Sequence, residues 1–287
     1  MPQWNCACPN CRDARLGKIP RRTQSSTAIS SGNGKWFLVN ASPDLPFQIE
    51  AFSDLQPGKN QLRGTPIAGV LLTNADLDHA LGLFSLREGG RLNIFAARAV
   101  REVLTRSIGL DKVLNTFCGA DWHEPPTRFA PLDPEDGEGG LSYRMIPLAG
   151  KAPPFAKKIS PRGTHSVAYQ FLDRRTGGVL LVAPDVCAVN KGLRDALKNS
   201  DAVLFDGTFW SGDELKGLKS TARTAGEMGH VTIRDVSLEL LRKLPTRRKI
   251  YIHINNTNPV LAADSPERAI VERAKIEVGS DGLEFEI

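Results

Sequence analysis

Two short segments of the chain concentrate side chains that can bind metal ions. The first holds Cys6, Cys8 and Cys11 within six residues near the N-terminus. Three thiolates this close together suit tetrahedral zinc, with a fourth ligand supplied from elsewhere in the chain. The single residue between Cys6 and Cys8 also disfavours a disulfide between them. We therefore expect a structural zinc site within the cysteine segment 4–15.

The second segment follows an apolar run at residues 67–73, which is typical of a strand buried on both faces. Three potential ligands, Asp76, Asp78 and His79, come directly after it. A turn at this point can direct two carboxylates and an imidazole at one ion or at two neighbouring ions. The structural alternative is a helix N-cap and a hydrogen-bonded polar pair formed by Asp78 and His79.

Further candidates lie beside other predicted strands. His165 precedes a strand-like run, Asp185 follows the apolar run 179–183, and His253 lies within the predicted strand 249–254. Metal binding is one interpretation of these three residues. The other is that the two histidines are hydrogen-bonded core residues and that the aspartate forms a turn.

The elements that must position these residues are short strands interleaved with helices. The apolar pattern predicts strands at 35–39, 67–73, 141–146, 166–172, 179–183, 202–205 and 249–254. Apolar residues at helical spacing predict amphipathic helices over 97–108, 191–199 and 233–244. Ser265 followed by Pro266 predicts a further helix start. Two β-rich halves with outer helices fit an α/β fold, a four-layer αββα sandwich.

The chain of 287 residues is expected to fold as a single domain spanning residues 1–287. The stretch 118–140 is dense in proline, glycine and acidic residues. We expect it to be a loop-rich insertion rather than a domain linker, because strand-like sequence resumes at residue 141.

Composition limits the classes of partner. The formal net charge is +5, and the basic residues form no concentrated stripe of the kind that binds nucleic acid. Solvated surface is the favoured interpretation of the short basic runs, and contact with an acidic peptide or ligand is the alternative. The sequence predicts no signal peptide and no membrane span. Five cysteines, an odd number and unevenly clustered, indicate metal binding in a reducing cytoplasm.

A more specific signal comes from residues 2–11, 73–79, 163–169, 183–185, 205–210, 228–231 and 253–259. These segments resemble the coenzyme PQQ synthesis protein B family of the metallo-β-lactamase superfamily, and the resemblance extends over nearly the whole chain. It implies a metallo-β-lactamase-like αββα sandwich. That family normally begins with an additional strand and a glycine-rich turn. We therefore expect the first family strand to be missing from this sequence.

The resemblance implies two neighbouring metal sites. Carried over by position, the first would use Asn74, Asp76, His165 and Asp185. The second would use Asp78, His79, Asp185 and His253. A neutral asparagine is a poorer ligand than imidazole, so the first site is weakened. The second keeps two imidazoles with carboxylates, a set that suits non-haem Fe²⁺ and O₂ chemistry, although Zn²⁺ and Mn²⁺ stay open.

The activity that the resemblance implies is hydroxylation of a tyrosine-derived precursor of pyrroloquinoline quinone (PQQ), a small molecule or a peptide, with O₂ as co-substrate. His230 is expected to act as a general acid or base, and Asp206 to orient His230 or the substrate; structural roles are the alternatives. Related phosphodiesterases complete the cysteine site with a histidine where this chain has Asn256. Asn256, His230 and an acidic side chain are therefore candidate fourth ligands.

Two other functions stay open at this stage. A metal-dependent hydrolase of phosphodiesterase or lactonase type would need a competent two-metal centre, and Asn74 argues against one. A non-catalytic carrier, with a transport role for PQQ or its precursor, would keep only the structural zinc. A homodimer is one further expectation.

Overall fold

The structure is a computed structural model that describes residues 1–156, 159 and 162–287. The chain divides into two compact units. Residues 24–178 form the central unit, and residues 1–23 together with 179–287 form the terminal unit. The prediction of a single domain over residues 1–287 stays a prediction.

The central unit holds eight strands and four α-helices among its described residues. Its strands are β1 (Thr27–Ile29), β2 (Trp36–Val39), β3 (Ile67–Leu71), β4 (Leu92–Phe95), β5 (Ala120–His123), β6 (Ala130–Pro131), β7 (Leu141–Leu148) and β8 (Ser166–Asp173). Its helices are α2 (Leu45–Ala51), α3 (Leu77–Ala80), α4 (Arg98–Ser107) and α5 (Leu110–Phe117). Short 3-10 helices cover Ser53–Leu55, Leu81–Glu88, Pro134–Gly139 and Pro154–Ala156.

Strands β1 to β5 pair in chain order, and β2, β3, β4 and β5 run parallel. Parallel strands are buried on both faces, which explains the continuous apolar run at β3. Val70, Leu71 and Ile94 are completely buried in this sheet. Because the carboxyl ends of parallel strands meet at one edge, the segments that leave β3, β4 and β5 lie side by side there.

Strands β6, β7 and β8 pair antiparallel, and the register of the last two runs from Leu141 opposite Asp173 to Leu148 opposite Ser166. Because β8 begins at Ser166, His165 lies directly before it. The backbone N–H of Val167 donates to the carbonyl of Thr73 at 2.8 Å. The start of β8 is therefore tied to the segment that leaves β3.

The terminal unit is also a mixture of helices and strands. Its helices are α1 (Pro9–Arg15), α6 (Lys191–Lys198), α7 (Ala225–Met228), α8 (Leu238–Arg242) and α9 (Pro266–Arg273). Its strands are β9 (Val179–Ala183), β10 (Ala202–Asp206), β11 (Arg248–Ile252) and β12 (Glu277–Val278). One π-helical turn covers Ile233–Ser237, and 3-10 turns cover Glu214–Gly217 and Pro259–Leu261.

Strands β9, β10, β11 and β12 pair in parallel in that order. Their apolar residues form the core of the unit, with Leu181, Val203 and Ile250 completely buried. Asp185 follows β9, Asp206 ends β10 and His253 follows β11. Parallel pairing therefore gathers these three polar side chains at one edge of the strands.

Most elements match the sequence pattern, but two segments differ from it. The predicted helix over 233–244 begins with a π-helical turn before α8. The segment 118–140, predicted to be loop-rich, contains β5 and β6. Its strand β5 has the sequence Ala-Asp-Trp-His, which lacks an apolar run. It forms because its backbone pairs with β4, and that is a tertiary effect that local composition does not show.

Among the described residues, the structure contains no helix with the length and apolar character that a membrane crossing requires.

Candidate metal sites

The three cysteines of the terminal unit converge as predicted. The Sγ atoms of Cys6, Cys8 and Cys11 all lie within 4.8 Å of one another. Cys8 and Cys11 are buried, and Cys6 is half-buried. The backbone N–H of Cys8 donates to Cys6 Sγ at 3.4 Å, and that of Gln3 donates to Cys11 Sγ at 3.3 Å. The bond to Cys6 favours its thiolate form, the form that binds a metal.

Asn256 completes this cluster. Its side-chain Nδ2 donates to the Sγ atoms of Cys6, Cys8 and Cys11 at 3.3, 3.5 and 3.4 Å. Burial alone would raise the pKa of Cys6, but hydrogen bonds from Cys8, Cys11 and Asn256 outweigh it and lower that pKa. Of the fourth-ligand candidates from the sequence, Asn256 is thus the one whose side chain faces all three thiols.

Asn10 ties this cysteine segment to the loop that follows β11. Its Nδ2 donates to the carbonyls of Asn256 and Asn258 at 3.0 and 2.9 Å. Asn258 in turn donates to the carbonyl of Gly207 at 2.9 Å. The same loop begins at His253, so the thiol cluster helps to fix a candidate metal ligand.

A second candidate group in the terminal unit consists of Asp185, His230 and His253. One ligand atom from each lies within 4.8 Å of the other two. Asp185 Oδ1 lies 3.5 Å from His230 Nδ1 and 3.7 Å from His253 Nδ1. The two imidazole rings stack at a centroid distance of 5.7 Å. The predicted residues Asp185, His230 and His253 are therefore neighbours.

Asp206 lies completely buried beneath this group. Its carboxylate accepts hydrogen bonds from the backbone N–H of Val186 and of Thr208, both at 2.9 Å, and from His230 Nδ1 at 2.9 Å. Burial would lower the pKa of His230, but the Asp206 carboxylate outweighs burial and, with Asp185, raises it. Asp206 thus orients His230, one of the two roles considered from the sequence.

The Asp206 carboxylate also reaches His253 through a hydroxyl. Thr208 Oγ1 donates to Asp206 Oδ1 at 2.6 Å and lies 2.8 Å from His253 Nδ1. Because that hydroxyl proton is used on the carboxylate, the consistent arrangement has His253 Nδ1–H donating to Thr208. A neutral ring then carries its lone pair on Nε2, the nitrogen that can bind a metal.

The backbone at His253 adopts a left-handed conformation, with φ at +55°. Residues other than glycine rarely adopt positive φ, and such strain is concentrated at functional sites. His253 follows β11 immediately, so this backbone turn sets the direction of its ring.

In the central unit, the predicted metal-binding segment forms a turn and then a short helix. Asn74 Oδ1 accepts a hydrogen bond from the backbone N–H of Asp76 at 2.9 Å. Asp76 is the N-cap residue of α3, and Asp78 lies in its first turn. The N-cap role considered for Asp78 therefore belongs to Asp76.

His79 is buried and is held by a hydroxyl relay. Its Nδ1 lies 3.1 Å from Thr73 Oγ1, and Thr73 Oγ1 lies 3.1 Å from Asn40 Oδ1. Asn40 Nδ2 also donates to Thr73 Oγ1 at 2.9 Å, so the amide of Asn40 holds this hydroxyl from both of its polar atoms. When His79 Nδ1–H donates to Thr73, the lone pair of a neutral ring lies on Nε2. That Nε2 lies 3.8 Å from Asp78 Oδ2. Asn40 also has a positive φ of +65°.

Asp76 and His165 are placed differently. Among the residues that the structure describes, neither belongs to a group of three candidate ligand atoms within 4.8 Å of one another. His165 is buried just before β8. The joint ligand sets that the resemblance implies for Asp76 and His165 stay predictions.

The sequence pattern missed three residues that hold the candidate histidines. Asn40, Thr73 and Thr208 carry no metal-binding motif of their own, and the relays join residues as far apart as 45 positions. The one available signal was position, because Thr73 follows β3 and Thr208 follows β10, where this fold presents its polar side chains.

Comparison with known proteins places the chain in a family. The β-lactamase superfamily domain matches residues 35–254. Coenzyme PQQ synthesis protein B from Cupriavidus necator is 40% identical over 296 residues, covering 99% of this chain and 95% of that protein. The protein of the same name from Ectopseudomonas mendocina is 40% identical over 292 residues, covering 99% and 94%. The chain belongs to the coenzyme PQQ synthesis protein B family.

Solved structures confirm the metallo-β-lactamase α/β fold that the sequence predicted. The crystal structure of zinc-bound PqqB from Methylobacterium extorquens superposes with a TM-score of 0.88 at 32% identity, covering 100% of this chain and 95% of that one. A diphosphatase of the PhnP family gives a TM-score of 0.67 at 19% identity, covering 100% and 93%. The second likeness shows the shared fold alone.

Proposed function

We propose that this chain acts in PQQ biosynthesis as a metal-dependent oxygenase that hydroxylates a tyrosine-derived precursor. Membership of the coenzyme PQQ synthesis protein B family supports the pathway. The observation that carries the chemistry is the relay from Asp206 through Thr208 to His253, because it selects the ring tautomer that can bind a metal. The zinc in the related crystal structure belongs to that protein and supports metal binding by this chain.

The donor set fits a non-haem iron centre. Imidazole and carboxylate ligands with open positions are the arrangement used by Fe²⁺ oxygenases. The residues that would hold the iron are Asp78, His79, Asp185 and His253. The assignment of all four residues to one centre is a prediction from the sequence. Bound Fe²⁺ would supply the binding and activation of O₂.

The chain's own groups then have separate tasks. Thr208 keeps His253 in the metal-binding tautomer, and Thr73 holds the Nδ1 side of the His79 ring in place. His230 donates from Nδ1 to Asp206, so its Nε2 is the atom that can take up or release a proton. Each hydroxylation replaces an aromatic C–H by C–OH with one atom of O₂. The other atom leaves as water, with two electrons and two protons from an added reductant such as ascorbate.

The test is reconstitution of the full chain with Fe²⁺ under anaerobic conditions, followed by O₂, ascorbate and either L-tyrosine or a tyrosine-containing dipeptide. We expect O₂ consumption and a product heavier by one oxygen atom, both absent from zinc-loaded protein because zinc is not redox-active. Replacing His79 or His253 with Ala should abolish the mass gain. Turnover supported by zinc and not by iron would refute the oxygenase.

The same preparations separate the two alternatives. Cleavage of bis(p-nitrophenyl) phosphate that is lost in Asp78→Ala would indicate a hydrolase. One zinc per chain with no second metal under any loading condition would indicate a carrier. Asn74 argues against a two-metal hydrolase, because a neutral amide is a poorer metal ligand than an imidazole.

We propose that the thiol cluster is a structural zinc site whose fourth ligand is Asn256. A half turn of the side-chain amide exchanges Nδ2 and Oδ1, so Asn256 can offer an oxygen where the amide now faces the three thiols. Cys11→Ser should lose this zinc and melt at least about 5 °C lower, because a structural metal contributes directly to folding. Cys118→Ser, outside the cluster, is the matched control and should keep the zinc.

A further inference from the structure

The central unit contains a cleft of about 360 Å³ between α4 and the end of β5. Cavities of this size are in the range that small molecules occupy. Its walls include Arg98, Arg101, Glu102, Trp122, His123 and Glu124. It lies at the carboxyl ends of β4 and β5, the edge of a parallel sheet where ligands usually bind.

One of the three arginines that line the cleft, Arg101, packs against an aromatic ring. It lies 5.5 Å from the centroid of the Trp122 ring, a cation–π distance. Trp122 is fixed in turn, because its Nε1 donates to Asp111 Oδ1 at 2.6 Å. Within the described part of the chain, Arg101 forms no ion pair and no side-chain hydrogen bond. Its N–H groups are therefore oriented and available to an incoming carboxylate.

The other charges of the cleft balance one another, except for one carboxylate. Glu102 pairs with Arg98 at 3.0 Å and with Arg106 at 3.7 Å. Asp111 is used by Trp122. Glu124 is exposed on the cleft wall, and no ion pair joins it to another described residue. One available cation and one available anion thus line the same cavity.

His123 lines one wall of the cleft, and its ring packs on that of Phe95. Their rings stack at a centroid distance of 4.7 Å. Asn93 donates from Nδ2 to the carbonyl of Ala68 at 3.1 Å, which fixes its amide, and its Oδ1 lies 3.0 Å from His123 Nε2. His123 therefore ends β5 with a fixed ring.

We propose that this cleft binds the α-amino acid group of a ligand, with Arg101 on the carboxylate and Glu124 on the ammonium. A zwitterion matches a lining with three arginines and three carboxylates, whereas a phosphate would need an excess of positive charge. The proposal rests on the proposed function, in which the substrate is derived from tyrosine. The segment Asn74–His79 leaves the same sheet edge two strands away, about 10 Å along it.

The test is calorimetric titration of the full chain, as purified and again after metal removal, with L-phenylalanine, phenethylamine and 3-phenylpropionate. L-Phenylalanine has both charges, and each analogue lacks one of them. We expect L-phenylalanine to bind at least tenfold more tightly than either analogue, with or without metal. The readout needs no turnover, so it can succeed or fail independently of the oxygenase test.

Variants then assign the groups. Arg101→Gln should weaken L-phenylalanine binding at least tenfold and leave phenethylamine binding unchanged. Glu124→Gln should also weaken L-phenylalanine binding at least tenfold, but should leave 3-phenylpropionate binding unchanged. Arg87→Gln is the matched control, since Arg87 also lies over an aromatic ring, that of Phe117 at 5.6 Å, but outside the cleft. Equal binding of all three probes, an unaffected Arg101→Gln variant, or no binding of L-phenylalanine would overturn the proposal.

Discussion

In both units a threonine hydroxyl links a candidate metal-binding histidine to a third side chain, but that third side chain differs. In the central unit, His79 meets Thr73, and Thr73 meets the neutral amide of Asn40. In the terminal unit, His253 meets Thr208, and Thr208 meets the buried carboxylate of Asp206. A hydroxyl can serve either end group, so the end group decides how strongly the ring N–H is held.

The difference matters because Asp206 serves two histidines at once. It orients His230 directly and His253 through Thr208, whereas Asn40 reaches one histidine of the described residues, His79. A change in the charge of Asp206 would therefore reach both of these histidines of the terminal unit.

The largest expected effect is that of Asp206→Ala. It leaves the N–H groups of Val186 and Thr208 and the His230 ring without their acceptor in a buried place, so we expect a loss of about 3 to 5 kcal/mol in the free energy of unfolding. Asn40→Ala should cost about 2 kcal/mol, because no charge is involved. Urea denaturation of both variants measures the difference.

Asp195→Ala is the control for that pair, because Asp195 forms an exposed helix ion pair with Lys191. Its removal should not change the urea midpoint measurably. Equal losses for Asp206→Ala and Asn40→Ala would contradict the distinction between the two units.

Removal of the bridging hydroxyls should weaken metal binding. Thr208→Val should lower metal affinity by about 10-fold to 100-fold, the usual effect of losing a hydrogen-bond partner of a metal-bound histidine. Thr73→Val should lower metal affinity by about 10-fold, the smaller loss of that range, because the Thr73 hydroxyl is bonded to an amide and not to a carboxylate. Competition with a chromogenic chelator gives both affinities. Thr116→Val, which alters only an exposed hydroxyl on α5, is the control, and a larger loss in Thr73→Val than in Thr208→Val would reverse our ranking.

Stability of the metal-free protein should depend on pH through His230. Burial opposes the charged ring, but Asp206 and Asp185 raise its pKa above the usual value of about 6.5. The stabilisation is then fully present below pH 6.5 and is lost as the pH rises through the raised pKa. Across that window, Asp206→Asn should lose less free energy of unfolding than the unmodified chain does. Parallel pH profiles would show that Asp206 does not set the pKa.

The smallest effect is expected from Asn40→Asp. This substitution puts a carboxylate behind Thr73, as Asp206 provides one behind Thr208. Asp can accept from the Thr73 hydroxyl and backbone N–H as Asn40 does. We expect metal affinity to rise a few-fold, since a carboxylate makes the ligating ring more basic. The same chelator competition would detect this change, and an unchanged or lowered affinity would mean that the end group is unimportant.

Much of the fold was readable from the sequence, because buried parallel strands such as β3, β10 and β11 leave apolar runs. Strand β5 left none, since its residues are held by pairing with β4. The thiol cluster followed from spacing alone. The pairing of Asp206 with His230 could be proposed, but the hydroxyl relays could not. They depend on contacts between distant residues and on positive φ angles at Asn40 and His253, which no local pattern reveals.

The most direct test of the central claim is the isotopic mass of the product after the iron-loaded chain reacts with a tyrosine-containing dipeptide under ¹⁸O₂. Our account predicts that each added oxygen atom carries the heavy isotope, and that His253→Ala gives no added oxygen at all. Product oxygen derived from water, or equal product from His253→Ala, would contradict the assignment of oxygenase chemistry to these residues.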